Sequence, residues 1–259
     1  MARPIDLVAD LGEGFGPWRM GDDTALLELV SSANIACGFH AGDPAIMDAT
    51  VRACIERGIE IGAHPSFPDL VGFGRRDLGA TPEQVRTDVL YQIGALDAFA
   101  RAHGSRVRHV TPHGRLGNLV AVRPDYAAAV ADALCSLDEG LTIVAQDGAM
   151  ADEAHRRGLP VAVVGVIDRG YRPDGTLVPR SEPNAIVADL DTLVQRAVRL
   201  ATTGELVAVD GTVLQVTADS LLLHGDNTHA VATARAIRRA LLDAGIEIRP
   251  LADVLAAKA

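Results

Sequence analysis

Cysteine is scarce. Cys37, Cys54 and Cys135 are too few and too widely spaced for a disulfide framework or a structural zinc site, and a reducing, cytoplasmic setting is expected. Positive charge is in deficit as well: 24 Lys and Arg against 34 Asp and Glu leave a net charge of −10. Neither a nucleic acid nor an anionic membrane has electrostatic support as a partner. No apolar run reaches the length of a membrane-spanning helix, and the opening MARPIDLVADLGEG carries acids where a signal peptide needs an unbroken apolar stretch. GxxxxGK[ST] is absent, GEGFG and GFGRRDLG do not complete GxGxxG, and no GxSxG elbow occurs. Those absences exclude a standard phosphate loop and a serine-hydrolase elbow.

What is present is the pattern of a globular α/β protein. With 259 residues, 48% hydrophobic and 22% charged, the chain is long enough to bury a large core. Short β-rich runs recur at 5–11, 32–38, 60–65, 109–114, 142–148, 161–168 and 221–226, with helical stretches between them. Asp43 and Pro44 cap and open one helix that Gly58 closes. Thr81 to Gln84 form a capping box ahead of Val85, Val89, Ile93 and Leu96. Val231, Ile237 and Leu241 share the stripe of a last helix that ends at Gly245.

Repeated β-then-α units imply a parallel sheet with helices outside. An open sheet gathers its chemistry at one switch point, whereas a barrel brings many strand ends to one mouth. Here nearly every strand ends in reactive side chains: Asp10 and Glu13, His40, His64, His113, Gln146 and Asp147, Asp168 and Arg169, His224 and Asp226. The expected fold is therefore a single TIM-like (β/α) barrel over residues 1–259, with about seven parallel strands. Residues 246–248 offer an eighth, and 206–216 read as a β-hairpin insert around Asp210-Gly211.

The stretch HVTPHGRLGN at 109–118 has HxxxH spacing, which puts both imidazoles on one face only in a helix. Pro112 and the β-rich neighbourhood oppose a helix. In a strand the two histidines stand about 13 Å apart, at roughly 3.3 Å per residue. That leaves His113 as the functional candidate and His109 as a satisfied histidine deeper in the barrel. Strand parity directs Asp10 to the mouth, with a turn or cap acid as the alternative. Asp6 shares that parity, which admits a lumen network or the surface. Glu13, in the GEGFG loop, reads as a site carboxylate or a solvated one. His40 precedes a helix N-terminus that suits an anion, and Cys37 reads as a buried small residue or a nucleophile beside His40. His103, His155 and His229 read as helix-end or surface residues.

The expected catalytic set is Asp10, Glu13, His40, His64, His113, Asp168 and His224, with Arg115, Arg169 and Asp226 on the substrate side. Such residues shuttle protons between an attacking water and a leaving nitrogen. His40, His64 and His113 are also candidates to hold a divalent metal that activates water. Either suits hydrolysis of an amide-like bond.

DLGEGFG, SSANIACGFHAGDP, IGAHPSFPDLVGFGRRDL, YQIGAL, HVTPHG, DRGY, DGTLVPRS and LLLHGDNTHAV together resemble the LamB/YcsF family of 5-oxoprolinase A subunits, from about residue 5 to residue 249. The resemblance implies a seven-stranded barrel related to glycoside hydrolases and deacetylases. It also implies hydrolysis of the lactam 5-oxoproline to L-glutamate, coupled to cleavage of ATP to ADP and phosphate, in a complex with subunits B and C. With no phosphate loop here, part of the nucleotide chemistry is expected on those partners. Val8 stands where the family has asparagine, and Thr111, Arg115 and Gly117 stand where it has lysine, alanine and tyrosine. Arg115 is the candidate to return the cation lost at position 111, with Gly117 leaving it room, on a related but shifted substrate. Two alternatives stay open: a stand-alone metal-dependent amide hydrolase or deacetylase, and a non-catalytic binding subunit. Self-association into a homo-oligomer is open too.

Overall fold

A computed structural model describes residues 3–137 and 140–258. Among them, seven parallel strands close into a barrel: β1 (Asp6–Leu11), β2 (Ser32–Ala36), β3 (Glu60–His64), β4 (His109–Val110), β5 (Thr142–Ala145), β6 (Val161–Val166) and β9 (Ser220–Leu223). β9 sits between β6 and β1 and completes the ring. The small antiparallel pair β7 (Glu205–Val207) and β8 (Val213–Gln215) is the expected hairpin insert. Residues 246–248 do not add an eighth strand. Ile248 makes only an isolated bridge to Ile5, ahead of β1 and on the edge that β2 pairs from Val8 onward.

The strands are buried on both faces because one face meets the lumen and the other the surrounding helices. Outside lie α1 (Asp23–Leu27), α2 (Pro44–Arg57), α3 (Pro82–Ala102), α4 (Gly114–Val120), α5 (Pro124–Leu137), α6 (Ala149–Arg157), α7 (Leu190–Thr203), α8 (Ala230–Asp243) and α9 (Leu251–Ala256). The caps of α2 and α3 are those the sequence predicts. The Asp43 carboxylate accepts from the N–H groups of Ala45 and Ile46, and Gly58 ends α2 in a left-handed conformation. At α3 the Thr81 and Gln84 side chains and backbones pair reciprocally. Val85, Val89, Ile93 and Leu96 are buried along one stripe of that helix. Truncating such a residue to alanine costs about 2–5 kcal/mol.

One element is shorter than its sequence suggests. The run 109–114 pairs as a strand only at His109 and Val110. Pro112 has no N–H to give a ladder, and the chain turns at once into α4, with His113 as the residue capping it. His113 thus stands at a helix entrance rather than on a continuing strand.

The lower lumen carries a polar layer. Asp6 is buried and accepts hydrogen bonds from the hydroxyls of Ser31 (2.7 Å), Ser32 (2.7 Å) and Ser220 (2.5 Å). Of the two readings open for Asp6, the lumen network holds.

Candidate active site

The upper lumen is organised around Asn34 on β2, 24 residues beyond Asp10 in sequence and its register partner on β1. Its amide donates to Asp10 Oδ1 at 2.9 Å, while its carbonyl oxygen accepts from Thr111 Oγ1 at 2.9 Å and faces His109 Nε2 at 3.1 Å. His109 Nδ1 reaches Glu60 at 3.1 Å. His109 is thus a satisfied lumen residue, as its place deeper in the barrel predicts. Its ring fits because residue 62 is glycine: a Cβ there would stand 2.0 Å from His109 Nε2.

Above that layer His64, His113, His40 and Glu13 converge, all buried, with one ligand atom from each within 4.8 Å of the others. Proton positions follow from the partners. His64 Nδ1 lies 2.6 Å from the Thr111 carbonyl oxygen and His113 Nε2 lies 2.9 Å from the Phe73 carbonyl oxygen. Carbonyls only accept, so both nitrogens carry hydrogen. In the neutral rings the remaining nitrogens, His64 Nε2 and His113 Nδ1, then face each other as lone pairs at 2.9 Å. Asp10 Oδ1 is 3.3 Å from that His64 nitrogen, and Glu13 Oε1 is 3.6 Å from His113 Nδ1 and 3.2 Å from His40 Nε2.

Burial, then the neighbouring His40 and His64, hold His113 well below the usual imidazole range. Burial and His64 do the same to His40. Burial, reinforced by the charges of Asp10 and Asp226, pushes Glu13 well above the carboxylate range. Asp10 goes the other way: burial opposes its ionisation, but the charge and hydrogen bond of His64, with His224 and Asn34, outweigh it. Clustered lone pairs beside carboxylates fit a divalent cation bound by nitrogen and oxygen.

The loop after β3 clamps this cluster. Phe73 holds a left-handed backbone (φ 54°), rare for a bulky residue. It presents its carbonyl to His113, and its ring stands perpendicular to those of both His40 and His113. Gly74 next to it leaves no room for a side chain, since a Cβ would meet Ser66, His113 and His40.

A cavity of about 480 Å³ opens beside the cluster, bordered by Asp10, His64, His113, Thr111 and His224. His224 Nδ1 lies 2.7 Å from Asp168 Oδ1. Burial alone would lower the His224 pKa, but the charge and hydrogen bond of Asp168, with Asp10, reverse that and raise it. This is a carboxylate–imidazole dyad with its second ring nitrogen available for proton transfer.

The structure thus brings Asp10, Glu13, His40, His64 and His113 together and sets Asp168 with His224 beside them. The expected substrate-side residues are placed differently. Arg115 borders the cavity but is half-exposed and ion-paired with Asp77 at 3.0 Å. Gly117 does not clear space for it, because its missing Cβ points at the Pro112 carbonyl, 2.4 Å away. Arg169 also lines the cavity, with its guanidinium donating to the carbonyls of Ala185 (2.9 Å) and Val178 (2.5 Å). Asp226 pairs with Arg75 at 2.5 Å.

Asn34, Phe73, Arg75 and Arg180 are site residues that sequence reasoning passed over. The last three lie inside VGFGRRDL and DGTLVPRS, so the motifs carried the signal. Cys37 is buried, and burial pushes its thiol up to about 12, which keeps it protonated. His103 closes α3 and contacts Asp48 at 2.7 Å.

A closed parallel (β/α) barrel with its polar cluster at the strand C-termini defines a TIM-like barrel protein. Within that class the chain belongs to the LamB/YcsF family, whose pattern matches residues 5–256. It is 51% identical over 246 residues to the A subunit of a Mycobacterium avium 5-oxoprolinase, covering 95% of this chain and 98% of that one. The crystal structure of a lactam utilization protein from Thermus thermophilus superposes with a TM-score of 0.90 at 43% identity, over 95% and 99% of the two chains. A family 4 carbohydrate esterase from Streptomyces lividans shares the fold at 15% identity, with a TM-score of 0.51 over 95% and 91% of the chains. Among the described residues no helix is long and apolar enough to cross a membrane.

Proposed function

We propose that this protein is the lactam-opening subunit of a 5-oxoprolinase, hydrolysing 5-oxoproline to L-glutamate with cleavage of ATP to ADP and phosphate, in complex with subunits B and C. The observation that carries the reading is the facing pair His64 Nε2 and His113 Nδ1 beside Asp10, in a chain half identical to a 5-oxoprolinase A subunit. Opening an unactivated five-membered lactam is slow, and phosphorylating its oxygen makes a better electrophile. In this reading, at least part of that nucleotide chemistry falls to the partner subunits, since this chain carries no standard phosphate-loop motif.

In this reading Asp10 and the His64–His113 pair hold the attacking water. Asp168 keeps His224 oriented and charged, so that His224 delivers a proton to the departing ring nitrogen. Glu13 and His40 complete the donor set for a divalent cation with His64 and His113. Such an ion, when bound, polarises a carbonyl or lowers the pKa of water. Arg115, Arg169 and Asp226 shape the substrate side of the cavity.

The test is reconstitution with subunits B and C, measuring ATP-dependent glutamate release from 5-oxoproline. A complex that forms and hydrolyses ATP but releases no glutamate sinks the proposal. The donor cluster also favours a second reading, a metal-dependent amide hydrolase acting alone. Glutamate release by the isolated chain with a divalent metal and without ATP would establish it.

A further inference from the structure

The carboxylates around the mouth already have partners: Asp10 has Asn34 and His64, Asp168 has His224, and Asp226 has Arg75. Most of the cations are engaged too, Arg75 by Asp226, Arg115 by Asp77 and Arg169 by two carbonyls. Arg180 is the exception. It is half-buried in the loop between β6 and α7 and borders both the main cavity and a smaller one of about 190 Å³ beside it. It makes no hydrogen bond or ion pair with any described residue. Withdrawing a guanidinium from water without a partner costs free energy, which a bound anion offsets.

A second feature points the same way. The Gln146 side-chain amide nitrogen, in the wall of the main cavity, is buried with no hydrogen-bond partner. The Tyr171 hydroxyl lies near it as a weak contact and is engaged by the Val166 N–H at 2.8 Å. An unpaired guanidinium and an amide without a well-formed hydrogen bond in one cavity match a ligand rich in oxygen acceptors. Lys258 is the one lysine of the chain, so cation recognition in this cavity falls to planar guanidinium forks, which fit a carboxylate in bidentate fashion.

We propose that Arg180 anchors the carboxylate of the substrate, which makes it a specificity-determining residue for carboxylated lactams over unsubstituted ones. This rests on the lactam hydrolysis proposed above. Gln146 then donates to a second oxygen of the same ligand.

Arg180→Ala and Arg180→Met are compared with the parent in complex with subunits B and C. The readouts are kcat/KM for 5-oxoproline and for 2-pyrrolidinone, the same ring without the carboxylate, and KM for ATP. The parent is expected to prefer 5-oxoproline, and each variant to lose roughly 10–100-fold of that preference, the scale of one charged hydrogen-bonded contact. The loss should fall on KM for the lactam rather than for ATP. Arg180→Met keeps the packing of the stem and decides the matter if the alanine variant misfolds. An unchanged preference overturns the inference while lactam hydrolysis stands. A rise confined to KM for ATP also overturns it, by giving Arg180 to a phosphate. A parent complex that opens neither lactam overturns the reading beneath it.

Discussion

His64 and His113 meet nitrogen to nitrogen at 2.9 Å, each fixed from behind by a main-chain carbonyl that dictates which nitrogen keeps its hydrogen. Two lone pairs held this way repel, and either a proton on His64 shared with Asp10 or a cation lying against both nitrogens relieves them.

Calorimetric titration with Zn²⁺ or Mn²⁺ is therefore expected to show one ion bound per chain. At about 100 times Kd it should stabilise the fold by about 2.7 kcal/mol. For a chain of this size that is roughly 5–10 °C in melting temperature. His64→Ala and His113→Ala should each abolish uptake, whereas Cys135→Ser, at an exposed position, should not. No uptake by the metal-stripped parent would remove the case for a metal site.

Asp168→Asn leaves the His224 contact in place but removes its charge. The His224 pKa is raised in the folded protein, so the charged form persists to higher pH and is lost as pH rises through that value. The substitution should lower kcat by roughly 10²–10⁴-fold and move the alkaline limb of the kcat profile to lower pH. If the limb stays where it is, His224 is not the proton donor.

Asp6 tests the lower layer. Burial raises its pKa from 3.8 to about 6, against the hydrogen bonds of Ser220, Ser31 and Ser32. The protonated form therefore stabilises the fold fully below pH 4, and that stabilisation is lost as pH rises through 6. Across that window it amounts to about 2–3 kcal/mol. Asp6→Asn, which mimics the protonated acid, should raise the melting temperature at pH 8 and change it little at pH 4. Equal shifts at both values would contradict the assignment.

Gly62→Ala places a methyl group against the His109 ring. Overpacking of this kind costs about 1–3 kcal/mol, and thermal melting should show it. With His109→Ala in the same chain the two losses should not add, because the residues share one space. Strict additivity would show that the clash relaxes elsewhere.

The barrel was legible because two physical signals agreed: short β-rich runs alternating with helical stretches, and reactive residues placed at the C-terminal ends of those runs. The caps at Asp43 and Thr81 were equally legible, since a cap is a contact over a few residues. What could not be read was long-range. Nothing local marks the Glu13 loop as buried, because its cover comes from His40 and His113. Arg75 and Asp226 pair across 151 positions. Asn34, which ties Asp10 to His109 and Thr111, looked like an ordinary polar residue in a strand. The helix entrance at His113 was missed because a proline excludes a helix interior but suits the run just before one.

The short β4 has a consequence for substitution. Ladder pairing of this strand to β5 ends at Val110, one residue before Thr111, the first of three positions on this side of the mouth (111, 115 and 117) that, together with Val8, stand apart from the family pattern expected from the sequence. Changes there alter the wall of the mouth while the β4–β5 pairing is left untouched. Substitutions at 111, 115 and 117 are therefore expected to change the shape of the mouth with less loss of stability than substitutions at Asn34, which ties Asp10, His109 and Thr111 together.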